Sequence, residues 1–83
     1  MRNTDDYIIF YHLIEQGSFS AAARHMSLTK SVVSKRIAKL EQELGVQLLY
    51  RTTRTLTLTE AGRAFFTHAK AVYQAVATAE ESI

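Results

Sequence analysis

Four hydrogen-bonding side chains cluster at the start of a segment with helical spacing. They are Lys30, Ser31, Ser34 and Lys35, at positions i, i+1, i+4 and i+5. An α-helix brings this spacing to one side. In the major groove of duplex DNA the base edges carry distinguishable patterns of donors and acceptors, which lysine and serine can read. We therefore predict that these four residues contact bases. For each serine a second explanation stays open, because polar residues also favour helix starts for capping and solvent exposure.

Basic residues are concentrated in the middle of the chain. The window 24–54 holds seven basic residues and two acids, whereas the rest of the chain has more acids than bases. This pattern favours one face that meets a polyanion, and a solvated basic helix face is the alternative. A helix start also offers free backbone amides to a phosphate. The residues predicted to contact the DNA backbone or a minor groove are Thr29, Arg36, Lys39, Arg51 and Arg54.

The sequence contains no pattern of catalytic residues or metal ligands. His12, His25 and His68 lack metal-ligand spacing, and there is no Gly-x-Ser-x-Gly motif and no glycine-rich phosphate loop. The absence of cysteine excludes disulfides, thiolate zinc sites and thiol nucleophiles. We predict no enzyme activity, no metal site and no cofactor. RNA binding is also disfavoured, because the basic window lacks aromatic pairs for stacking unpaired bases.

Three helices are predicted in the first half of the chain. The first spans about 5–16 and stops at Gly17, because glycine adopts the left-handed cap conformation at low cost. The second spans about 21–26 with Ser20 as its cap, and its alanines allow another helix to approach closely. The third follows a turn of about three residues and runs over 29–44. Its apolar stripe consists of Val33, Ile37, Leu40 and Leu44. The second and third helices together indicate a helix-turn-helix.

The hydrophobic period changes after Gly45. Apolar and polar residues now alternate, which is typical of half-buried strands. The alternating apolar positions are Val46, Leu48 and Tyr50, then Leu56 and Leu58. We predict a β-hairpin, the wing, whose tip at 51–55 presents two arginines.

A last helix is predicted from about residue 60 to the chain end. Its apolar residues recur at spacings of 4 and 3, as in a seam that packs against another helix. The seam residues are Phe65, Ala69, Val72, Val76, Ala79 and Ile83. We predict that they form a homodimer interface. Phe65 and Phe66 have an alternative role, because they can close the domain's own core.

The chain length and composition set the domain organisation. At 83 residues, 47% of them hydrophobic, the chain supports one small core. No apolar run approaches the roughly 20 residues of a membrane span, and no signal peptide is evident. We expect a mainly α domain with a small β-hairpin wing, a winged helix-turn-helix at 1–59, followed by a linker and dimerisation helix at 60–83. The predicted location is the cytoplasm, at the nucleoid.

Several motifs occur in the order and spacing of a known family. They are GSFSAAA at 17–23, VSKRI at 33–37, LEQELGV at 40–46, Arg51, Arg54 and LTEAG at 58–62. In this order the motifs resemble the N-terminal domain of LysR-type transcriptional regulators. The resemblance implies a winged helix-turn-helix, double-stranded DNA as partner, and a linker helix that pairs antiparallel with its copy. It also implies a separate C-terminal domain, absent from this chain, that binds a small-molecule effector.

The sequence departs from this family pattern at several positions. Lys30 and Ser31 replace a common glutamine and proline, and Leu49 and Tyr50 replace a usual phenylalanine and acid, so the preferred DNA site is expected to differ. Thr53 and Thr55 stand where glycine is frequent, which predicts a stiffer wing tip. One function from another class stays open: a protein-interaction module that uses the last helix, with an incidental basic patch.

Overall fold

Residues 4–50 and 55–83 are the part of the chain that the computed structural model describes. In these residues the backbone forms four helices and one two-stranded antiparallel sheet. The elements, in chain order, are α1 (Thr4–Gln16), α2 (Phe19–Met26), α3 (Lys30–Leu44), β1 (Leu49–Tyr50), β2 (Thr57–Leu58) and α4 (Glu60–Glu81). The predicted fold class, mainly helical with a hairpin wing and a long last helix, is confirmed.

α1 supplies the centre of the core. Its first turn carries Asp5 and Asp6, which complement the positive end of the helix dipole. Ile9, Phe10 and Leu13 recur on one face and are buried. The helix ends where Gly17 adopts a φ of +84°, and the Gly17 N–H donates to the Leu13 carbonyl across 3.0 Å. The predicted span of about 5–16 is therefore correct to within one residue.

α2 begins two residues earlier than the sequence analysis predicted. The cap is Ser18, whose Oγ accepts a hydrogen bond from the Ala21 N–H at 3.1 Å, so the assignment of Ser20 as the cap was wrong. The reason is that Phe19 already lies in the first helical turn and is half-buried. Ala22 and Ala23 are buried, as expected for a helix packed at close range between α1 and α3.

The turn between α2 and α3 is short and well defined. Ser27 closes α2 in the left-handed conformation, with a φ of 57°, and the Leu28 N–H donates to the Ala23 carbonyl at 2.9 Å. Thr29 then caps α3. Three residues thus join the two helices, which confirms the predicted helix-turn-helix geometry.

The hairpin differs from the predicted alternation on its first strand. Leu49 pairs with Leu58 and Tyr50 with Thr57. Leu48 and Leu49 are both buried and Val46 is exposed, so the predicted pattern of Val46, Leu48 and Tyr50 on one side was wrong. Backbone N–H groups of Leu48 (2.7 Å) and Leu49 (3.2 Å) donate to the same Glu41 oxygen, Oε2. Successive N–H groups of a regular strand point in opposite directions, so the chain is not yet a regular strand at Leu48 and β1 begins only at Leu49.

α4 is anchored at its start and extends away from the domain. Thr59 caps it by accepting from the Gly62 N–H at 2.9 Å, and the Thr59 hydroxyl donates to the Gln47 carbonyl at 2.7 Å. At 22 residues the helix is about 33 Å long, and the longest dimension of the molecule is 43 Å. None of the helices in the described ranges has the length and apolar character that a bilayer span requires.

Candidate nucleic-acid interface

The position of α3 is set by a buried stripe and a cap. Val33, Ile37 and Leu40 are fully buried, and each such side chain contributes about 1.5–3 kcal/mol relative to an exposed one. The Thr29 Oγ accepts a hydrogen bond from the Val32 N–H at 3.1 Å. The Thr29 hydroxyl keeps its own hydrogen for a further acceptor. The buried stripe and the cap together leave one face of α3 toward solvent.

The four residues predicted to contact bases lie on that outer face. Lys30, Ser31 and Lys35 are exposed, and Ser34 is half-buried at the edge of the face. At about 100° per residue the four side chains span about 140° of the helix circumference, an arc that begins beside Ile37 and runs away from Val33. The structure therefore brings together flexible cationic donors and short hydroxyls on one convex surface, which we call the α3 outer face.

A buried carboxylate joins α1 to one edge of α3. Asp6 has no exposed surface, and its Oδ1 accepts from the Arg36 Nε at 2.6 Å. The Lys39 Nζ lies 3.9 Å from Asp6 Oδ2. Arg36 and Lys39 are predicted from the sequence as DNA contacts only, and no sequence pattern indicates their contact with Asp6. The Arg36 side chain is 31% exposed and the Lys39 side chain 56%, so Lys39 is the more accessible of the two cations.

The base of the wing is tied to the neighbouring helices. The carboxylate of Glu41 on α3 accepts hydrogen bonds from the N–H groups of Leu48 and Leu49. The Thr59 N–H donates to the Leu48 carbonyl at 3.0 Å. These contacts hold the start of β1 against α3 and against the residue that caps α4. The predicted wing arginines, Arg51 and Arg54, lie outside the described residues.

Aromatic rings and two histidines meet where α1, α2 and α4 converge. Tyr11 stacks on Tyr73, with ring centroids 4.5 Å apart, and His12 meets Tyr73 edge-on at 4.9 Å. His25 of α2 lies 4.9 Å from His12. The pKa of His12 is lowered, mainly because the ring is partly buried and secondly because His25 lies next to it. No group of three potential metal ligands occurs in residues 4–50 and 55–83. The contacts of Tyr73 with Tyr11 and His12 join α4 to α1 and so fix the direction of α4.

The predicted seam along α4 divides into two parts. Ala69 is fully buried within the chain's own core, and Phe65 packs edge-to-face on Tyr7 and Phe10, with centroids 5.2 and 5.3 Å apart. A buried side chain cannot contact a second copy, so the assignment of Ala69 to a dimer interface was wrong. Phe65 takes the alternative role predicted for it, which is to close the domain's own core. The seam residues with accessible surface are the half-buried Val72 and the exposed Val76, Ala79 and Ile83.

The helix-turn-helix, the hairpin after it and the long closing helix define a winged helix-turn-helix domain. The model of the family described as bacterial regulatory helix-turn-helix protein, lysR family, matches residues 4–63. The chain therefore belongs to the LysR family. It is 44% identical over 78 residues to the HTH-type transcriptional regulator CrgA of Neisseria meningitidis serogroup C. That alignment covers 94% of this chain and 26% of CrgA.

Solved structures of the family have the same fold. The complex of the BenM DNA-binding domain with catB site 1 DNA superposes with a TM-score of 0.90 at 28% identity, covering 98% of this chain and 90% of that one. The CrgA structure from Neisseria meningitidis gives a TM-score of 0.78 at 42% identity, covering 96% of this chain and 27% of that one. The chain thus spans about a quarter of the length of the curated regulator that it matches.

Proposed function

We propose that this chain is the DNA-binding domain of a transcriptional regulator and that it binds specific sequences of double-stranded DNA through α3, the recognition helix. The observation that carries the proposal is the α3 outer face. The apolar stripe of α3 is buried in the core. The helix therefore presents Lys30, Ser31 and Lys35 to solvent, with the half-buried Ser34 beside them. Such a helix fits the major groove, where these donors can read base edges.

Contacts to the DNA backbone are proposed at the borders of this face. Thr29 lies at the start of α3, where free N–H groups and the helix dipole favour a phosphate. Lys39 adds an accessible ammonium, and Arg36 has N–H groups besides the Nε that Asp6 receives. Arg51 and Arg54 of the wing are proposed to contact the backbone or a minor groove.

The parent protein is proposed to act as a dimer. The accessible part of the α4 seam, Val72, Val76, Ala79 and Ile83, is the proposed contact with a second copy. A paired linker helix would place two recognition helices on two half-sites of one duplex. A C-terminal effector domain, a location in the cytoplasm at the nucleoid and the absence of catalysis belong to the same proposal.

A salt-dependent titration followed by selection tests the function. A fluorescently labelled random-sequence duplex is titrated with the chain at low and moderate salt, and bound duplexes are recovered over several rounds. We expect binding that weakens steeply with salt, since bound phosphates release counterions, and enrichment of one sequence. Undetectable binding at low salt would refute DNA binding. Salt-dependent binding with no enriched sequence would refute specificity alone.

A further inference from the structure

One apolar side chain stands among the polar residues at the start of α3. Val32 is 38% exposed, one of five large hydrophobic side chains with this much exposure in the described ranges. The preceding residues Thr29, Lys30 and Ser31 are polar and exposed, as is Lys35 three residues later. Core packing does not account for this position, because the buried stripe of α3 runs through Val33 and Ile37.

Val32 is held rigidly where it stands. Its own N–H donates to the Thr29 Oγ at 3.1 Å, and the next residue, Val33, is completely buried. A β-branched side chain in a helix has essentially one preferred χ1 rotamer, so little side-chain entropy remains to be lost on contact. The two methyl groups of Val32 are therefore presented at a defined place.

The neighbours of Val32 locate it at the proposed groove-facing surface. With about 100° per residue, Val32 lies about 60° around the helix from Lys35 and about 40° from Arg36. Arg36 is held by Asp6, which fixes that edge of α3 against α1. The Val32 methyl groups therefore lie beside Lys35 on the solvent side of α3.

We propose that Val32 contacts the 5-methyl group of a thymine and selects a T·A pair at one position of each half-site. Thymine is the base that presents an apolar group in the major groove, and small apolar side chains recognise it by contact. Covering an exposed valine by a methyl group removes apolar surface from water on both partners. This inference rests on the proposed function and adds a specificity-determining residue to the hydrogen-bonding set.

The test compares thymine with uracil, which differs by this methyl group alone. Each thymine of the duplex enriched by the wild-type chain is replaced in turn by uracil, and the Kd of each duplex is measured by fluorescence anisotropy. One buried methyl group corresponds to about 0.8 kcal/mol, or about fourfold in Kd. We expect about fourfold weaker binding of the wild-type chain at one thymine of each half-site. For Val32→Ala we expect equal affinity for thymine and uracil at that position.

Two further variants separate the possible explanations. Val46→Ala removes the same methyl groups from another exposed valine outside α3 and should retain the thymine preference. Val32→Thr keeps the shape with one methyl group and should retain part of it. If Val32→Ala discriminates thymine from uracil as well as the wild-type chain, or weakens both duplexes while keeping their ratio, the inference is wrong. In either case an enriched duplex would still support the proposed function, whereas a failed enrichment would overturn both.

Discussion

Asp6 and Arg36, thirty residues apart in sequence, form an ion pair that joins the first helix to the recognition helix. The carboxylate is completely buried, and its Oδ1 lies 2.6 Å from the Arg36 Nε. Lys39 approaches the other oxygen at 3.9 Å. The orientation of the α3 outer face thus depends on a charge near the start of the chain.

Replacing Asp6 by Asn should destabilise the domain. The substitution removes the charge from a hydrogen bond to a guanidinium, and such bonds contribute about 1.5–3 kcal/mol. Urea unfolding followed by circular dichroism measures the loss. Asp5→Asn is the control, because Asp5 shares the first turn of α1 and its dipole but is exposed. Equal losses for both variants would mean that the buried ion pair with Arg36 contributes no more to stability than an exposed acid of the same turn does.

Gly62→Ala should destabilise the domain although alanine is the better helix former. By helix propensity alone the substitution would stabilise α4 by about 1 kcal/mol. A Cβ at position 62, however, would clash with the Leu48 carbonyl oxygen, and a backbone atom cannot move aside cheaply. Overpacking costs about 1–3 kcal/mol, so the two estimates predict opposite signs. Thermal unfolding decides between them, with Ala64→Gly on the exposed side of α4 as the propensity control. A higher melting temperature for Gly62→Ala would show that the contact yields.

Signals between sequence neighbours predicted most of the elements. Thr29 caps α3 by bonding an N–H three residues away, and Gly45 closes it in the left-handed conformation with a φ of 71°. Both effects depend on residue type and short spacing, so they can be read from the sequence. The two serines before α2 have the same capping chemistry, and only the packing of Phe19 decides for Ser18.

Contacts across the fold were beyond the reach of sequence patterns. The Asp6 carboxylate resembles a helix-dipole residue until α1 and α3 are packed together. Glu41 resembles a solvated acid until the chain turns back and places the Leu48 and Leu49 amides on its carboxylate. The same tertiary packing buries Ala69, which the heptad spacing alone assigned to a second chain. Periodicity identifies an apolar face but does not identify its partner.

Lys35→Ala should weaken binding to the selected sequence more than binding to random duplex DNA. Loss of a base contact costs about 1–3 kcal/mol for the specific site, whereas loss of a phosphate contact affects all sequences alike. Kd values for both duplexes, measured at one salt concentration, give the comparison. Lys70→Ala removes an exposed lysine from α4 and should leave the ratio unchanged. Equal weakening on both duplexes would reassign Lys35 to the backbone.

The stability of the domain should decrease as the pH falls below about 6.5. Burial and His25 lower the pKa of His12 in the folded chain from its ordinary value of 6.5, while the carboxylate of Glu15 acts in the opposite sense. The unfolded chain therefore takes up this proton first, so the free energy of unfolding is highest above pH 6.5. It declines until the folded pKa is passed. Tyr11 and Tyr73 are the other titratable side chains against the His12 ring, with ring centroids 5.2 and 4.9 Å away.

Urea unfolding between pH 7.5 and 5.5 measures this dependence. His12→Phe keeps a ring against Tyr73 and removes the titration, so we expect its stability to vary less over that range. His25→Gln removes the second cause of the shift and should give an intermediate slope. His68→Gln, at an exposed position of α4, should behave as the wild-type chain does. A wild-type slope in His12→Phe would mean that other groups account for the pH dependence.

Val76→Glu should weaken association of the chain with itself. Val76 is 38% exposed and lies on the accessible part of the α4 seam, so a charge there would be desolvated in a paired helix while the monomer's own core stays intact. The effective cost of desolvating an ion is several kcal/mol, which predicts a dimer dissociation constant at least about tenfold higher. Sedimentation equilibrium measures that constant. Gln74→Glu makes the same charge change at an exposed position about 160° around the helix and should have little effect. If Val76→Glu associates as the wild-type chain does, the dimer contact lies on another surface, and the spacing of the two recognition helices would have to be derived from that surface instead.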